Sequence, residues 1–259
     1  MHIIPLGTNG FLPSFGRQTA SYAIPFDRTL IILDAGSGLA RLATPEGNAL
    51  LMEIDRVDLF LTHYHHDHTV GFNSTFDILA SKKVTVYGME RKRMHVGITS
   101  PGYQAVRRSF LQTSFDWKIL GEGVHRVGEY TVAVRRQFHR GKGSLAFRFD
   151  FGLAYVTDTE VTRESIEFVR GVPLLLHEHF ATGKRLLRRT RTAKPRHFRL
   201  GHVTTTGAAT VAKEAGVGTL ALIHHYPLSS NKRLTKQLAI AQSIFPKTIL
   251  AQDLQAITF

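Results

Sequence analysis

The amino-acid sequence predicts an α/β fold, and three observations carry that reading. Short apolar runs rich in β-forming residues recur along the chain, among them Thr29-Leu30-Ile31-Ile32-Leu33, Val57-Asp58-Leu59-Phe60-Leu61 and Leu153-Ala154-Tyr155-Val156. Runs of this length read as buried strands. Helix-like segments, such as 231–245, lie between such runs. The densest group of reactive side chains, Leu61-Thr62-His63-Tyr64-His65-His66-Asp67-His68, follows one apolar run directly. That puts it on the loop leaving a strand's C-terminal end, where open α/β sheets bind ligands.

Composition sets the bounds. The 259 residues are expected to form one domain, 1–259, able to bury a substantial core. With 43% hydrophobic and 20% charged residues, a disordered chain is excluded. No apolar stretch reaches the roughly 18 residues of a membrane span. Met1-His2-Ile3-Ile4-Pro5 runs into a strand without signal-peptide features. A cytoplasmic protein with no membrane partner is therefore expected, and a homodimer is left open. The absence of cysteine excludes disulfides and cysteine-held zinc. Lys and Arg number 33 against 20 Asp and Glu, a formal charge of +13. This favours an anionic partner such as nucleic acid, nucleotide or another phosphate ester, with solubility the plainer explanation.

In order along the chain, His2–Leu6 reads as a strand and Gly7-Thr8-Asn9-Gly10 as a turn. Residues Phe11 to Arg17 read as a loop. Ser21–Ile24 and Thr29–Leu33 pair as a hairpin closed by Asp34-Ala35-Gly36-Ser37-Gly38, where Asp34 suits the N-cap of a helix near Leu39–Ala43. Thr69 to Ser81 reads as an amphipathic helix and Lys83–Gly88 as the next parallel strand. Glu90 to Phe115 reads as helices flanking a loop, either a substrate-facing lid or a crossover. Glu129–Phe138, Ser144–Phe149, Leu153–Thr159 and Val172–Leu176 read as strands, and Glu160–Arg170 as a helix that Asp158 would cap. From Ala181 to Gly201 there are eight Lys or Arg residues and no acid. This run, with Lys184, Arg185, Arg188, Arg189, Arg191, Lys194, Arg196 and Arg199, is either a solvated surface or a phosphate-contacting one. A helix through Glu214, the strand before His224, the helix Asn231–Phe245 and the strand Thr248–Ala251 complete the chain.

The cluster at 63–68 holds four histidines and one aspartate in six residues. Imidazole and carboxylate suit zinc, manganese or iron. His63 and His65, two apart in an extended segment, point to one side. Asp67 and His68 follow across a turn and can face a second ion about 3.5–4 Å away. Six residues cannot close two metal shells, so further ligands must come from downstream.

The pattern resembles the H-x-H-x-D-H signature of the metallo-β-lactamase superfamily, and the resemblance runs over nearly the whole chain. It is nearest to the phosphodiesterase branch that contains tRNase Z and the small bacterial cyclic-phosphate phosphodiesterases. Leu6-Gly7-Thr8-Asn9-Gly10 resembles the family's F-L-G-T-G opening. His139 with Ser144-Leu145-Ala146-Phe147 resembles H-x-x-x-S-x-G-Y. Tyr155-Val156-Thr157-Asp158-Thr159 resembles Y-x-G-D-T, with Thr157 in place of glycine. His177-Glu178-His179-Phe180 resembles H-E-A-T-F with one residue missing. Gly201-His202-Val203-Thr204 resembles S-H-S-T, ahead of a helix ending like the family's A-K-x-A-G-V. Leu220 to Pro227 resembles L-x-L-x-H-x-S-P.

The resemblance implies a four-layer αββα sandwich and two divalent ions, zinc first with manganese or iron as alternatives. It implies His63, His65 and His139 on one ion, Asp67, His68 and His224 on the other, and Asp158 bridging them, with Asp34 supporting the metal loop. His202, backed by Glu178, would assist proton transfer, and Asp67 would help orient the nucleophile. The expected activity is hydrolysis of a nucleotide or other small phosphodiester by a metal-bridging hydroxide. A tRNase Z-like ribonuclease or other nuclease is one alternative, and a lactonase or thioesterase another. The tRNA-clamping arm of tRNase Z usually lies between the positions matched by His139 and Asp158, here only 19 residues apart. Contacts to a polynucleotide would come from Lys184, Arg185, Arg188, Arg189 and Arg191.

Overall fold

Apolar runs become strands, and the strands assemble into two seven-stranded mixed sheets. The structure, a computed structural model, describes residues 1–73, 76–89, 115–139, 143–180 and 201–259. The segment read as a lid, apart from Phe115, and the basic side chains of the 181–201 run lie outside the described residues. The chain divides into two compact units, Met1–Leu120 with Gln252–Thr258, and Gly121–Ala251 with Phe259.

The first unit contains β1 (His2–Gly7), β2 (Ser21–Phe26), β3 (Thr29–Leu33), β4 (Arg56–Phe60), β5 (Lys83–Gly88), β6 (Phe115–Ile119) and β14 (Ile257–Thr258). Its sheet order is β14-β1-β2-β3-β4-β5-β6. The pairs from β14 to β3 are antiparallel and those from β3 to β6 parallel. Leu30 and Ile32 of β3 and Leu59 of β4 pack with Leu39, Phe72 and Trp117 in one apolar core. Two short helices, α1 (Pro45–Ala49) and α2 (Phe76–Leu79), and 3₁₀ turns flank the sheet. The C-terminal segment is tied in by Asp253, whose carboxylate accepts from Thr8 Oγ1 (2.6 Å), Gln18 N–H (2.8 Å) and Arg41.

The second unit contains β7 (Gly123–Val127), β8 (Tyr130–Gln137), β9 (Ser144–Phe149), β10 (Leu153–Val156), β11 (Leu174–Glu178), β12 (Thr219–Ile223) and β13 (Thr248–Leu250). The order is β13-β12-β11-β10-β9-β8-β7. It is antiparallel from β7 to β10 and parallel from β10 to β13. Helices α3 (Arg163–Phe168), α4 (Thr205–Ala215) and α5 (Asn231–Gln242) flank this sheet. Val203, Ala208, Val211 and Ala212 pack with Ala154, Val156, Leu175 and Leu220. Helix α4 starts at Thr204, whose side chain accepts from Gly207 N–H, and stops at Gly216, where φ is +62°.

Several elements differ from the sequence reading. Thr69–Ser81 is not one amphipathic helix: 3₁₀ turns at His66–His68 and Val70–Asn73 precede the one-turn α2. Gly71 explains the break. Its N–H donates to Ala35 O, and a Cβ there would meet Gly36 O at 2.2 Å, so the backbone hugs the Asp34 turn. Asp34 caps no helix, because the 3₁₀ turn Ser37–Ala43 starts from Gly36. Nor does Asp158, since Thr162 caps α3 with a capping box. The strand expected at Val172–Leu176 runs two residues later and carries His177 and Glu178. Strands β6, β7 and β14 were not anticipated.

Candidate metal centre

In the first unit the histidine cluster leaves the C-terminal end of β4. Asp34 organises it, at the left-handed turn (φ +57°) that ends β3. Its carboxylate is fully buried and accepts from Thr62 N–H (2.8 Å) and Thr62 Oγ1 (3.0 and 2.9 Å). It also accepts from His68 Nδ1 at 2.8 Å. Thr62 Oγ1, its proton given to Asp34, accepts in turn from His63 Nδ1 at 3.0 Å. One carboxylate thus fixes two imidazoles with Nε2 as the remaining ring nitrogen. His68 Nε2 lies 3.5 Å from Asp67 Oδ2, which accepts from Phe11 N–H at 2.7 Å. The His63 ring sits 4.5 Å from that of His65 and 4.3 Å from that of His68, centroid to centroid. His63, His65, Asp67 and His68 are thus gathered on one loop.

In the second unit the donors come from three strand ends. His139 follows β8, and its Nδ1 donates to Gly201 O at 2.8 Å. Asp158 follows β10 in a left-handed conformation (φ +47°), and its carboxylate accepts from Thr157 Oγ1 at 2.8 Å. His224 follows β12, again left-handed (φ +54°). His139 Nε2 is 3.6 Å from Asp158 Oδ1, and His224 Nε2 is 3.3 Å from Asp158 Oδ2. Burial, the dominant effect, pushes the pKa of His139 down against the pull of Asp158. In the neutral ring, whose Nδ1 proton goes to Gly201 O, the Nε2 lone pair faces a carboxylate oxygen. Two acceptors so placed call for a cation between them. Two donors each about 2.0–2.1 Å from one tetrahedral ion lie about 3.4 Å apart. The donor set and its spacing therefore fit a divalent metal.

Beside these donors lies a buried pair. Glu178, fully buried at the end of β11, accepts from Thr159 N–H at 2.6 Å through Oε1 and from His202 Nδ1 at 2.8 Å through Oε2. Donor atoms of Asp158, Glu178, His202 and His224 all lie within 4.8 Å of one another. The His202 ring stacks on Phe180, centroids 4.8 Å apart and 15° from parallel. His202 sits two residues ahead of the Thr204 cap, so the start of α4 sets its place.

Three buried residues, His179, Thr205 and His225, have no role in the sequence reading. His225 Nε2 donates to Ala251 O at 2.9 Å. With the rings neutral, His225 Nδ1 accepts from His179 Nε2 at 2.8 Å, and His179 Nδ1 accepts from Thr205 Oγ1 at 3.1 Å. Burial, then the neighbouring His225, His224 and His177, pushes the pKa of His179 well below the usual range. Each member neighbours a site residue in the chain: His179 beside Glu178, His225 beside His224, Thr205 near His202. The doublet His224-His225 was a visible signal, but its geometry depends on the left-handed turn at His224.

Residues 29–225 match the family model described as "Beta-lactamase superfamily domain". The chain belongs to the β-lactamase superfamily. As a member with the donor side chains of that chemistry in both units, it is a metal-dependent hydrolase. It is similar to a curated Ribonuclease Z of Saccharolobus islandicus (strain Y.G.57.14 / Yellowstone #1), with 26% identity over 309 aligned positions covering 100% of this chain and 99% of the relative. Among solved structures, YhfI, a metallo-beta-lactamase fold protein from Bacillus subtilis, matches with a TM-score of 0.75 at 20% identity, covering 99% of this chain and 98% of that one. A diphosphatase from the PhnP family matches with a TM-score of 0.70 at 16% identity, covering 100% and 97%. These structures share the α/β sandwich fold of the superfamily. Among the described residues no helix is long and apolar enough to cross a membrane.

Proposed function

We propose that the chain acts as one catalytic domain, 1–259, that hydrolyses a small phosphodiester with two divalent ions, zinc first. His63, His65 and His139 would hold one ion, Asp67, His68 and His224 the other, and Asp158 both. A carboxylate suits the shared position because its two oxygens can each meet a cation. The ions, when bound, supply Lewis acidity and an activated water. The chain's own part is to position and to move a proton. Asp34 holds the rings of His63 and His68, and Gly201 O holds that of His139. Asp67, steadied by Phe11 N–H, orients the attacking water.

The observation that carries a phosphodiester, rather than a lactone or thioester, is the Glu178–His202 pair at 2.8 Å. Glu178 accepts from His202 Nδ1 and so supports the imidazolium form, whose Nε2 proton would pass to the departing alkoxide, a poor leaving group that needs general acid help, leaving the ring neutral with its proton on Nδ1. The likeness to a PhnP-family diphosphatase supports a small substrate. A nuclease is the second reading, favoured by the relative named Ribonuclease Z. Against it, the alignment spans 309 positions while this chain has 259 residues, so the relative carries segments this chain lacks.

The test is hydrolysis of bis-p-nitrophenyl phosphate with zinc or manganese added, beside a lactone, a thioester and an RNA with a 3′ extension. Diester turnover abolished by a chelator is expected. Turnover of the lactone or thioester alone would reject the phosphodiesterase reading, and turnover of the RNA alone would select the nuclease.

A further inference from the structure

The loop from Gly10 to Arg17 carries an apolar surface that the chemistry above does not use. Phe11, Leu12 and Phe15 are 48%, 50% and 57% exposed. An exposed apolar cluster of this kind marks a binding surface. The loop is firmly built. Asn9 Nδ2 donates to Leu12 O and Ser14 O, both at 3.3 Å, and Asn9 Oδ1 accepts from Arg17 Nε at 2.7 Å. Ser14 and Arg17 exchange backbone hydrogen bonds of 3.1 and 2.9 Å, and Arg41 donates to Gly16 O at 3.1 Å. The guanidinium of the buried Arg17 lies 5.4 Å from the Phe15 ring centroid, backing the ring.

Both phenylalanines sit in the left-handed region, at φ +62° for Phe11 and +50° for Phe15. Leu12 N–H donates to Gly10 O at 2.8 Å, closing a three-residue γ-turn around Phe11; with positive φ this is the rarer, strained form. Bulky residues stay in such conformations only where their surroundings impose them, and such positions cluster at ligand sites. The same turn is fastened to the chemistry, because Phe11 N–H donates to Asp67 at 2.7 Å.

We infer that Phe11 and Phe15 form a stacking platform for the nucleobase of a nucleotidyl phosphodiester. The inference rests on the phosphodiesterase reading and narrows its substrate class to diesters with a nucleoside on one side. Aromatic rings stack on any base, because every base has a π-face. The hydrogen bond from Phe11 N–H to Asp67 puts this loop beside the residue proposed to orient the attacking water. The formal charge of +13 suits an anionic nucleotide.

The test compares thymidine 5′-(p-nitrophenyl phosphate) with methyl p-nitrophenyl phosphate, which share a leaving group and carry a nucleoside or a methyl group on the other side. In Phe15→Ala the ratio of kcat/KM between the two esters should fall about ten-fold, the scale of losing one stacked base. Phe15→Trp should restore it. Saturation-transfer NMR on thymidine 5′-monophosphate should show stronger transfer to the thymine protons than to the sugar, lost in Phe15→Ala. An unchanged ratio together with unchanged transfer overturns the platform and leaves the phosphodiesterase reading standing. Absent turnover of both esters with Phe15-dependent transfer intact overturns the phosphodiesterase reading and keeps the platform. Sedimentation of the wild-type chain with anionic vesicles, lost in Phe15→Ala with the ratio unaltered, reassigns the patch to a membrane surface and overturns the inference.

Discussion

The two units share one strand plan and use it differently. Strands β14, β1, β2, β3, β4, β5 and β6 correspond in order and direction to β7 through β13. In both, a parallel run begins at the fourth sheet position, β3 or β10, and both of those strands lead into a left-handed aspartate, Asp34 or Asp158. The two aspartates differ in distance from the strand end. Asp34 directly follows Leu33, the last residue of β3, whereas Thr157 stands between Asp158 and Val156, the last residue of β10. Asp34 buries its carboxylate on Thr62 and His68, two neighbours within its own unit. Asp158 faces His139 and His224 and is the one proposed above as a ligand itself. In the second unit the orienting role passes to Glu178. A buried supporting carboxylate and the carboxylate proposed to coordinate thus stand one chain position apart, counted from their strand ends.

The sharpest way to break this comparison is to exchange the roles by substitution. Asp158→Ala should release bound metal, read by elemental analysis, and bring diester turnover to background. Retention of full metal content would remove Asp158 from the ligand set. His202→Ala should leave metal content unchanged while slowing alkyl diesters by about 10²–10⁴-fold, with a smaller loss on p-nitrophenyl esters; equal losses on both would exclude the proton-donor role. Asp34→Asn should keep the fold and weaken metal affinity by about 10–100-fold, the usual effect of losing a carboxylate behind a ligand. If competition with a chelator shows no change in affinity, Asp34 is only a structural brace.

Smaller effects sharpen the second unit. His225→Asn keeps an acceptor near the Nδ1 position for His179, whereas His225→Gln keeps only a donor toward Ala251 O. The Gln variant should be the less stable by about 1–3 kcal/mol in urea unfolding, since it strands a buried donor. Equal stability would refute the assigned proton arrangement. Acid should act on the same unit. Burial is the leading cause that lowers the pKa values of His139, His177 and His179 below the ordinary 6.5, so the unfolded chain takes up protons first. Stability of the metal-free chain is complete above that value and declines as pH falls below it. A urea midpoint that rises on acidification from pH 7.5 to 5.5 would contradict the sign.

Much of this was legible in the sequence because strands and ligands coincide there. Apolar runs such as Thr29–Leu33 and Leu153–Val156 announce buried strands, and each candidate ligand stands just past one. The spacing of His63, His65, Asp67 and His68 on one loop is visible without coordinates. What was not legible depends on through-space geometry. Nothing local tells that Gly71 must pass against Gly36 O, so the expected helix from Thr69 dissolved into turns. The route from Asp34 through Thr62 to His63 joins residues 28 and 29 positions apart, and no periodicity marks it. The short strand β14 owes its existence to pairing with His2 and Ile3, not to its own two residues.

The fastening of Asp253 to Thr8, Gln18 and Arg41 has a bearing on how the molecule is made. Ribosomes release a chain from its N-terminal side, so the first unit emerges early yet lacks its seventh strand and this carboxylate. Every residue from 121 to 251 is synthesised before position 252 appears. The unit encoded first therefore finishes last, and the nascent chain must shelter an unpaired edge at β1 throughout the birth of its second half. Removing residues 252–258 would then damage the part of the protein that lies farthest away along the gene.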